Sequence, residues 1–389
     1  MWILWCALSC QKPQITSLDS WSEGVRYRPV QPPNALADQL VDRLPNAQWD
    51  AGLHRATQEL LAAMPKRSSR ITPDRTRTAT ARAGFPGQAR FTKILNGGSF
   101  PEELVDEIMN ATGIEPIDVA LVRREFGDGV SLWLAAWSPH IVDVDPMPVQ
   151  VPLDGRLMLR AEVPDSHKAT LFISPPMGEV SQSRLDSEAY RIINQLHIPG
   201  EWVFEIVTTE QEEAPQVAAL FSVFVDVPLP ELGLLPEPLL KPESPVAAEA
   251  YLYTALNELR QERGLPPLQR FELFESLARE HSAWMAHTGV VSHQILNVTP
   301  GVAYHATNLA NPRAEHYENV ASAYTAAEAF GLAADSAGHL QSFLCETCTH
   351  VSIGAALEPT LDRMPRIFVT WEVLDFVQGE PKKIDKLRP

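Results

Sequence analysis

The sequence AAEAYLYTALNELRQERG at residues 247–264 begins the stretch that decides the fold of the C-terminal third. Its leucines recur at helical spacing, and Ser244 followed by Pro245 is typical of a helix start. A second helix is predicted by FELFESLAREHSAWMAHTG at residues 271–289, which ends in a glycine. His293 follows this second helix and is expected on the connection after it.

Two strand-like segments follow further along the chain. HVSIGAAL at residues 350–357 and RIFVTWEV at residues 366–373 alternate larger and smaller side chains, which predicts a buried antiparallel hairpin. Between the helices and this hairpin, HYENVA contains Glu318 and SAGHL contains His339. We expect Glu318 to open a helix through ENVASAYTAAEAF, and His339 to open another helix after Ser336.

These segments together resemble the CAP superfamily of cysteine-rich secretory, antigen 5 and pathogenesis-related proteins, in its bacterial, secreted branch. The resemblance rests on LNELRQERGLPPL, LAREHSAWMAHTGVVSH, ENVA, SAGHL, HVSIGAAL and FVTWEV, which occur in family order. It implies an α-β-α sandwich and a cleft where two histidines meet one or two glutamates. By motif, His293, Glu318 and His339 are the matching cleft residues. The family's Trp and second Glu are replaced by Phe330 and Ala333, which favours binding over catalysis.

The three cleft residues have two interpretations. Two imidazoles and a carboxylate can hold Zn²⁺ or another divalent cation with a water molecule, so His293, Glu318 and His339 are candidate metal ligands. With only three protein groups, such an ion would bind weakly and leave as the histidines protonate. The same residues could instead form a hydrogen-bonded polar cluster. His281 falls on an apolar helix face and is interpreted as a hydrogen-bonded core histidine, and His316 could also reach the cleft.

The composition limits the classes of partner. The chain has 389 residues and a net charge of −17, which argues against nucleic acid and against binding to an anionic membrane surface. At this length more than one domain is expected. The 33 prolines cluster at predicted junctions between domains.

The N-terminal sequence MWILWCALSC is apolar but too short to span a membrane. It is similar to the end of a secretory signal, and ALSC loosely resembles a bacterial lipobox with Cys10 as the lipidated residue. The alternative is a short apolar tail. Together with the family resemblance, this segment predicts export to the cell envelope or the extracellular space, with membrane contact only through a lipid anchor.

The predicted fold class is α+β and multidomain. Residues 65–89, rich in Arg, Thr and Ser, are expected to form an exposed loop. Alternating segments such as EWVFEIV predict an immunoglobulin-like β-sandwich in the centre of the chain. The predicted parts are an export segment and tether (1–35), an α+β domain (36–140), the β-sandwich (141–227), a proline-rich linker (228–245), the CAP-like domain (246–378) and a tail (379–389).

The N-terminal domain could be a degenerate copy of the C-terminal one. DAGLHRATQELLAAM resembles LFESLAREHSAWMAH in its apolar spacing, and each domain has a hairpin that ends in a Trp-bearing strand. The alternative is that helix pairs and hairpins simply recur. A shared strand order would favour duplication, and an unrelated order would contradict it.

Cys345 and Cys348 form the motif CETC, which precedes a predicted strand. A redox motif would require a helix start at this point, and the chain has no second CxxC for a zinc site. A local disulfide and two free thiols remain as alternatives.

The leading functional hypothesis is a non-catalytic module that binds a small molecule, lipid or envelope component. The alternatives are a metal-dependent hydrolase, with Glu318 as ligand or general base, and a structural or adhesion protein.

Overall fold

The structure is a computed structural model of the chain. It describes residues 35–145, 147–177, 179–185, 190–210, 216–237, 241–293, 316–360 and 364–375. The predicted lipidation residue Cys10 and the predicted export segment and tail lie outside the described residues.

The N-terminal domain has helices on both faces of a four-stranded sheet. Helices α1 and α4 share one apolar cluster with the sheet, and helices α2 and α3 share another with its opposite face. The elements are, in chain order, α1 (Ala35–Val41), β1 (Ala47–Trp49), α2 (Ala51–Ala62), α3 (Pro73–Ala83), β2 (Arg90–Asn96), α4 (Glu102–Thr112), β3 (Ile117–Glu125) and β4 (Ser131–Pro139).

Helix α3 contradicts the expectation of an exposed loop over residues 65–89. Thr72 caps the helix by accepting from the backbone N–H of Arg75, Pro73 occupies the first turn, and Gly84 ends the helix in the left-handed conformation. Composition misled the prediction because the arginines are only partly exposed and form ion pairs. Arg77, for example, pairs with carboxylates from both other domains.

The central domain consists of two sheets that face each other across one apolar core. One sheet has the order β10-β7-β5 and the other has the order β6-β12-β11-β8-β9. The immunoglobulin type stays a prediction. The strands are β5 (Asp143–Val144), β6 (Gln150–Val151), β7 (Gly155–Glu162), β8 (His167–Ser174), β9 (Ser181–Leu185), β10 (Tyr190–Leu196), β11 (Gly200–Glu210) and β12 (Gln216–Val225).

The C-terminal domain is an α-β-α sandwich. Helices α5 and α7 pack on one face of its sheet, and α6 packs on the other. The two predicted helices before His293, the predicted helix at His339 and the predicted hairpin are present, whereas the helix expected to start at Glu318 begins only at Ala326. The elements are α5 (Pro245–Glu262), β13 (Gln269–Arg270), α6 (Glu272–Thr288), β14 (His316–Ala323), α7 (Ala326–Asp335), α8 (Ala337–Phe343), β15 (His350–Leu357) and β16 (Ile367–Leu374).

The sheets of the two outer domains share one topology. The N-terminal order is β1-β3-β4-β2 and the C-terminal order is β13-β15-β16-β14. In both sheets the first strand is parallel to the third, the third and fourth form an antiparallel hairpin, and the second is antiparallel to the fourth. The predicted duplication requires this match.

The three domains meet around α7 and α8. Arg77 of α3 pairs with Glu201 of the sandwich at 2.7 Å and with Asp335 of α7 at 2.5 Å. In the proline-rich segment before α5, residues 228–237 and 241–244 form neither helix nor strand, yet Leu235 among them is buried against the N-terminal domain. The segment is therefore held along the N-terminal domain as a packed connection.

Candidate functional site

His293 and Glu318 lie in direct contact at one end of the C-terminal domain. Helix α6 ends at Gly289, whose left-handed conformation turns the chain, and His293 follows on the connection. Its Nδ1 lies 2.8 Å from Oε1 of Glu318, and its side chain is 40% exposed while that of Glu318 is 8% exposed. His293 is thus the solvent-facing member of the pair.

Glu318 lies on strand β14, so the expectation that it opens a helix was wrong. The alanine-rich sequence after it has helical propensity, but residues 316–323 pair along β16 over their whole length. Pairing with a distant strand overrides local propensity here. On this strand Glu318 faces α6 and accepts hydrogen bonds from two histidines.

The second of these histidines is His281, which is fully buried on α6. Its Nδ1 lies 2.8 Å from Oε2 of Glu318, and its Nε2 lies 2.8 Å from the backbone oxygen of Ser292. Burial opposes charge on this ring, but the adjacent Glu318 carboxylate raises the pKa of His281 above its ordinary value. Burial likewise acts to raise the pKa of Glu318, but the two imidazoles hold it below its ordinary value.

His339 lies on the other side of His293, with the two ring centroids 6.3 Å apart. As predicted, it lies in the first turn of a helix, α8, which Ser336 caps. Burial, reinforced by the charge of His293, lowers the pKa of His339 to about 4. The ring is therefore neutral at pH 7 and can act as a hydrogen-bonding or metal-binding group.

Sequence reasoning missed one member of this group, Glu372. It lies opposite Glu318 on β16, is fully buried, and has its Oε2 2.6 Å from Nε2 of His316. Burial, and then the charge of Glu318, raise the pKa of Glu372 well above its ordinary value, and burial lowers the pKa of His316 to about 4. The available signal was a charged residue within the otherwise apolar strand FVTWEV.

The sequence comparison agrees with this geometry. Residues 253–371 match the family model of the cysteine-rich secretory protein family, CAP. This part of the chain is a CAP domain. No curated protein matches the chain.

Three solved bacterial structures are similar to the chain. An outer surface protein from Borrelia burgdorferi is 19% identical. The match covers 32% of this chain and 91% of that protein, with a TM-score of 0.27. An extracellular protein with an SCP domain from Bacillus anthracis str. Ames is 13% identical over 61% of this chain and 86% of its own, with a TM-score of 0.29. A cysteine-rich secretory protein from Staphylococcus aureus Mu50 is 11% identical. The match covers 59% of this chain and 85% of that protein, with a TM-score of 0.26.

The CAP domain therefore brings His293 beside both Glu318 and His339. The donor chemistry suits a divalent cation, which would sit about 2.1 Å from each ring nitrogen. Both oxygens of Glu318 are already hydrogen-bonded to histidines, so Glu318 would have to exchange a hydrogen bond to become a ligand. Metal binding by His293, Glu318 and His339 stays a prediction.

Two further features complete the description of the CAP domain. Cys345 and Cys348 are joined by a disulfide just before β15. Among the helices that the structure describes, none combines the length and apolar character needed to cross a bilayer.

Proposed function

We propose that this protein is an exported binding protein whose CAP cleft holds an amphipathic small molecule, such as a lipid, without turning it over. The cleft residues are His293, Glu318 and His339. The proposal rests on how Glu318 is bonded and on the surface next to His293.

The observation that carries the proposal is the state of the Glu318 carboxylate. One oxygen accepts from His293 and the other from His281, and the side chain is almost completely buried. A general base must be able to reach a proton of the attacking water, and it must be free to accept that proton. Because Glu318 is committed to two imidazoles, its role is to orient His293 toward the cleft.

The surface beside His293 combines apolar and polar groups. Val290 and Val291 are 54% and 42% exposed on the connection that leads to His293. The imidazole supplies a hydrogen-bonding group next to this apolar pair. Such a surface suits a ligand with an alkyl part and a polar head.

Export is supported by the disulfide between Cys345 and Cys348, because structural disulfides persist in oxidising compartments. The apolar N-terminal sequence that ends in Cys10 is consistent with export. Lipidation of Cys10 remains a prediction that the intact mass of native protein would test.

The test is a titration of the full chain with a dansyl-labelled fatty acid in the presence of EDTA. We expect saturable binding, and at least about fivefold weaker binding by His293→Ala, since a lost hydrogen bond to a ligand typically costs about 1 kcal/mol or more. His287→Ala is the matched control, because His287 is an exposed histidine in the last turn of α6. Equal affinity in wild type and His293→Ala would contradict the proposal.

The hydrolase alternative is tested with ester and peptide substrates, with and without added Zn²⁺. Turnover that EDTA abolishes, and that His339→Ala loses, would establish the hydrolase and contradict a purely binding role. If the protein neither binds the fatty acid nor turns over these substrates, the structural or adhesion role is the remaining alternative.

A further inference from the structure

We propose that His281, Glu318 and Glu372 form a second, buried site for a divalent cation such as Zn²⁺, behind the cleft and between α6 and the sheet. Each of these residues offers one ligand atom, and the three atoms lie within 4.8 Å of one another. A histidine and two carboxylates are a common ligand set for zinc and related transition metals.

Each of the three side chains is oriented by a second group. His281 directs Nε2 at the backbone oxygen of Ser292, and because a carbonyl oxygen only accepts, Nε2 carries the hydrogen. Nδ1 is then the nitrogen beside the carboxylates, 2.8 Å from Oε2 of Glu318, and a cation bound there would replace this hydrogen bond and its proton. Metal-binding histidines usually donate their other N–H to a carbonyl or carboxylate in this way.

The two carboxylates are held in a similar manner. Glu318 is bonded through Oε1 to His293, and Glu372 is bonded through Oε2 to His316. Oε1 of Glu372 is buried and accepts no hydrogen bond from the residues that the structure describes, although a side-chain contact with Glu318 adds to the raised pKa of Glu372. A buried carboxylate oxygen without a partner is costly, and a cation would satisfy it.

The N-terminal domain provides an internal comparison for this site. In each outer domain the residue that precedes the second helix donates its N–H to the same sheet position. Asp50 donates to Val119 before α2, and Phe271 donates to Val351 before α6. These two bonds align the helices and the sheets of the two domains residue by residue.

The alignment identifies the residues of the N-terminal domain that stand at the three proposed ligand positions. The counterparts of His281, Glu318 and Glu372 are, in that order, Leu60, Phe91 and Ala136. Phe91 pairs with Ala136 across the strands, as Glu318 pairs with Glu372. All three counterparts are apolar: Leu60 and Ala136 belong to core clusters of that domain, and Phe91 packs against those clusters.

The fold therefore does not need ionisable groups at these positions. Burying a histidine and two carboxyl groups costs free energy that an apolar core avoids. A cation that binds all three groups accounts for their presence in the CAP domain.

The experiment measures Zn²⁺ binding to the full chain by titration calorimetry in a His339→Ala background, which removes one imidazole of the cleft. We expect His339→Ala to bind one equivalent at the buried site. Adding Glu372→Gln should weaken this binding by at least about 100-fold, since losing a group that only orients a metal ligand already costs about 10–100-fold. Glu358→Gln is the matched control, because Glu358 is a buried carboxylate of the same domain that pairs with Arg366.

Equal affinity in His339→Ala with and without Glu372→Gln would overturn the proposal. If Glu372→Gln does not fold, crystals of wild type soaked in ZnCl₂ give a second measurement. An anomalous peak between His281, Glu318 and Glu372 would support the site, and a peak only beside His293 and His339, or no peak, would overturn it. These readouts do not depend on fatty acid binding in EDTA, so this site and the proposed function can fail separately.

Discussion

Glu318 joins the buried side of the CAP domain to its cleft through a single carboxylate. One oxygen accepts a hydrogen bond from the fully buried His281, and the other accepts one from the partly exposed His293. Because both bonds are made to nitrogen atoms that can carry a proton, the cluster is sensitive to pH. Removal of the carboxylate would leave a buried imidazole with one partner fewer, which is costly.

Two histidines at this site make a contribution to stability that depends on pH. His316 and His339 have pKa values lowered to about 4 in the folded chain, against 6.5 for an unperturbed histidine. Between these values the unfolded chain binds more protons than the folded chain, so the free energy of unfolding rises with pH. It should fall by up to about 1.4 kcal/mol per pH unit for each histidine as the pH drops from about 6.5 toward 4.

Urea unfolding at pH 7, 6 and 5 checks this expectation. His339→Gln should show a shallower pH dependence than wild type, because one of the two titrating groups is gone, whereas the exposed His287→Gln should match wild type. The same pH dependence in wild type and His339→Gln would contradict the assignment of a neutral His339, because the raised pKa values of His281 and Glu372 act in the opposite direction in both proteins.

At the residue scale, the sequence predicted His293 and His339 because each belongs to a short motif with a helix boundary beside it. Glu372 could not be assigned in the same way. Its partner Glu318 is 54 residues earlier in the chain and is brought opposite only by the pairing of β14 with β16. A glutamate in a strand is also common at solvent-facing positions. Glu372 is buried because its strand is covered on both faces of the sheet, which the sequence alone does not show.

At the element scale, helix α6 and strand β15 define the geometry of the site. The helix lies against the strand at Gly354, where an added Cβ would be 2.1 Å from the backbone carbon of Ala278. Three residues further along α6, His281 faces Glu318. The close approach of helix to sheet is therefore what lets His281 reach the carboxylates.

Gly354→Ala should destabilise the CAP domain and displace α6. A new methyl group has no space against helix backbone, and overpacking of a core typically costs about 1–3 kcal/mol, with larger values where backbone is in the way. The measurement is urea unfolding of the full chain. Gly338→Ala is the control, since an added Cβ there meets nothing within 4 Å. Equal stability of the two variants would show that the helix can move away without loss.

Periodicity predicted α5, α6 and the C-terminal hairpin because their apolar positions are set by one local pattern. The same reasoning failed at α3 and at β14. Helix α3 is polar, and its Arg77 pairs with carboxylates from distant parts of the chain, Glu201 and Asp335. Strand β14 is fixed by its register with β16, which no local pattern encodes.

At the scale of the whole molecule, the sandwich contacts the helix that carries His339. Glu205 is 1% exposed and accepts from the hydroxyl of Ser336 at 2.9 Å and from the backbone N–H of Gly338 at 3.0 Å. Ser336 in turn accepts from the N–H of His339. The central domain thus helps to position a cleft residue, although it has no cleft residue of its own.

Glu205→Ala should loosen α8 and lower the stability of the chain. It leaves buried donors at the start of the helix without an acceptor, which typically costs about 1–3 kcal/mol. Hydrogen exchange of the α8 amides and thermal unfolding measure the effect. Glu210→Ala is the control, because Glu210 is on the same strand and is partly exposed beside His167. Unchanged exchange in α8 would show that the sandwich does not support the cleft.

The measurement that tests the central claim most directly is an NMR titration of His281 in wild type and in Glu318→Gln. The claim is that the Glu318 carboxylate holds His281 charged in the core and joins it to the cleft. In wild type we expect the pKa of His281 above its ordinary value of 6.5, because the hydrogen bond and charge of Glu318 outweigh burial. In Glu318→Gln burial should dominate, and the pKa should fall below 6.5. The same pKa in both proteins, or a wild-type value below 6.5, would contradict the account.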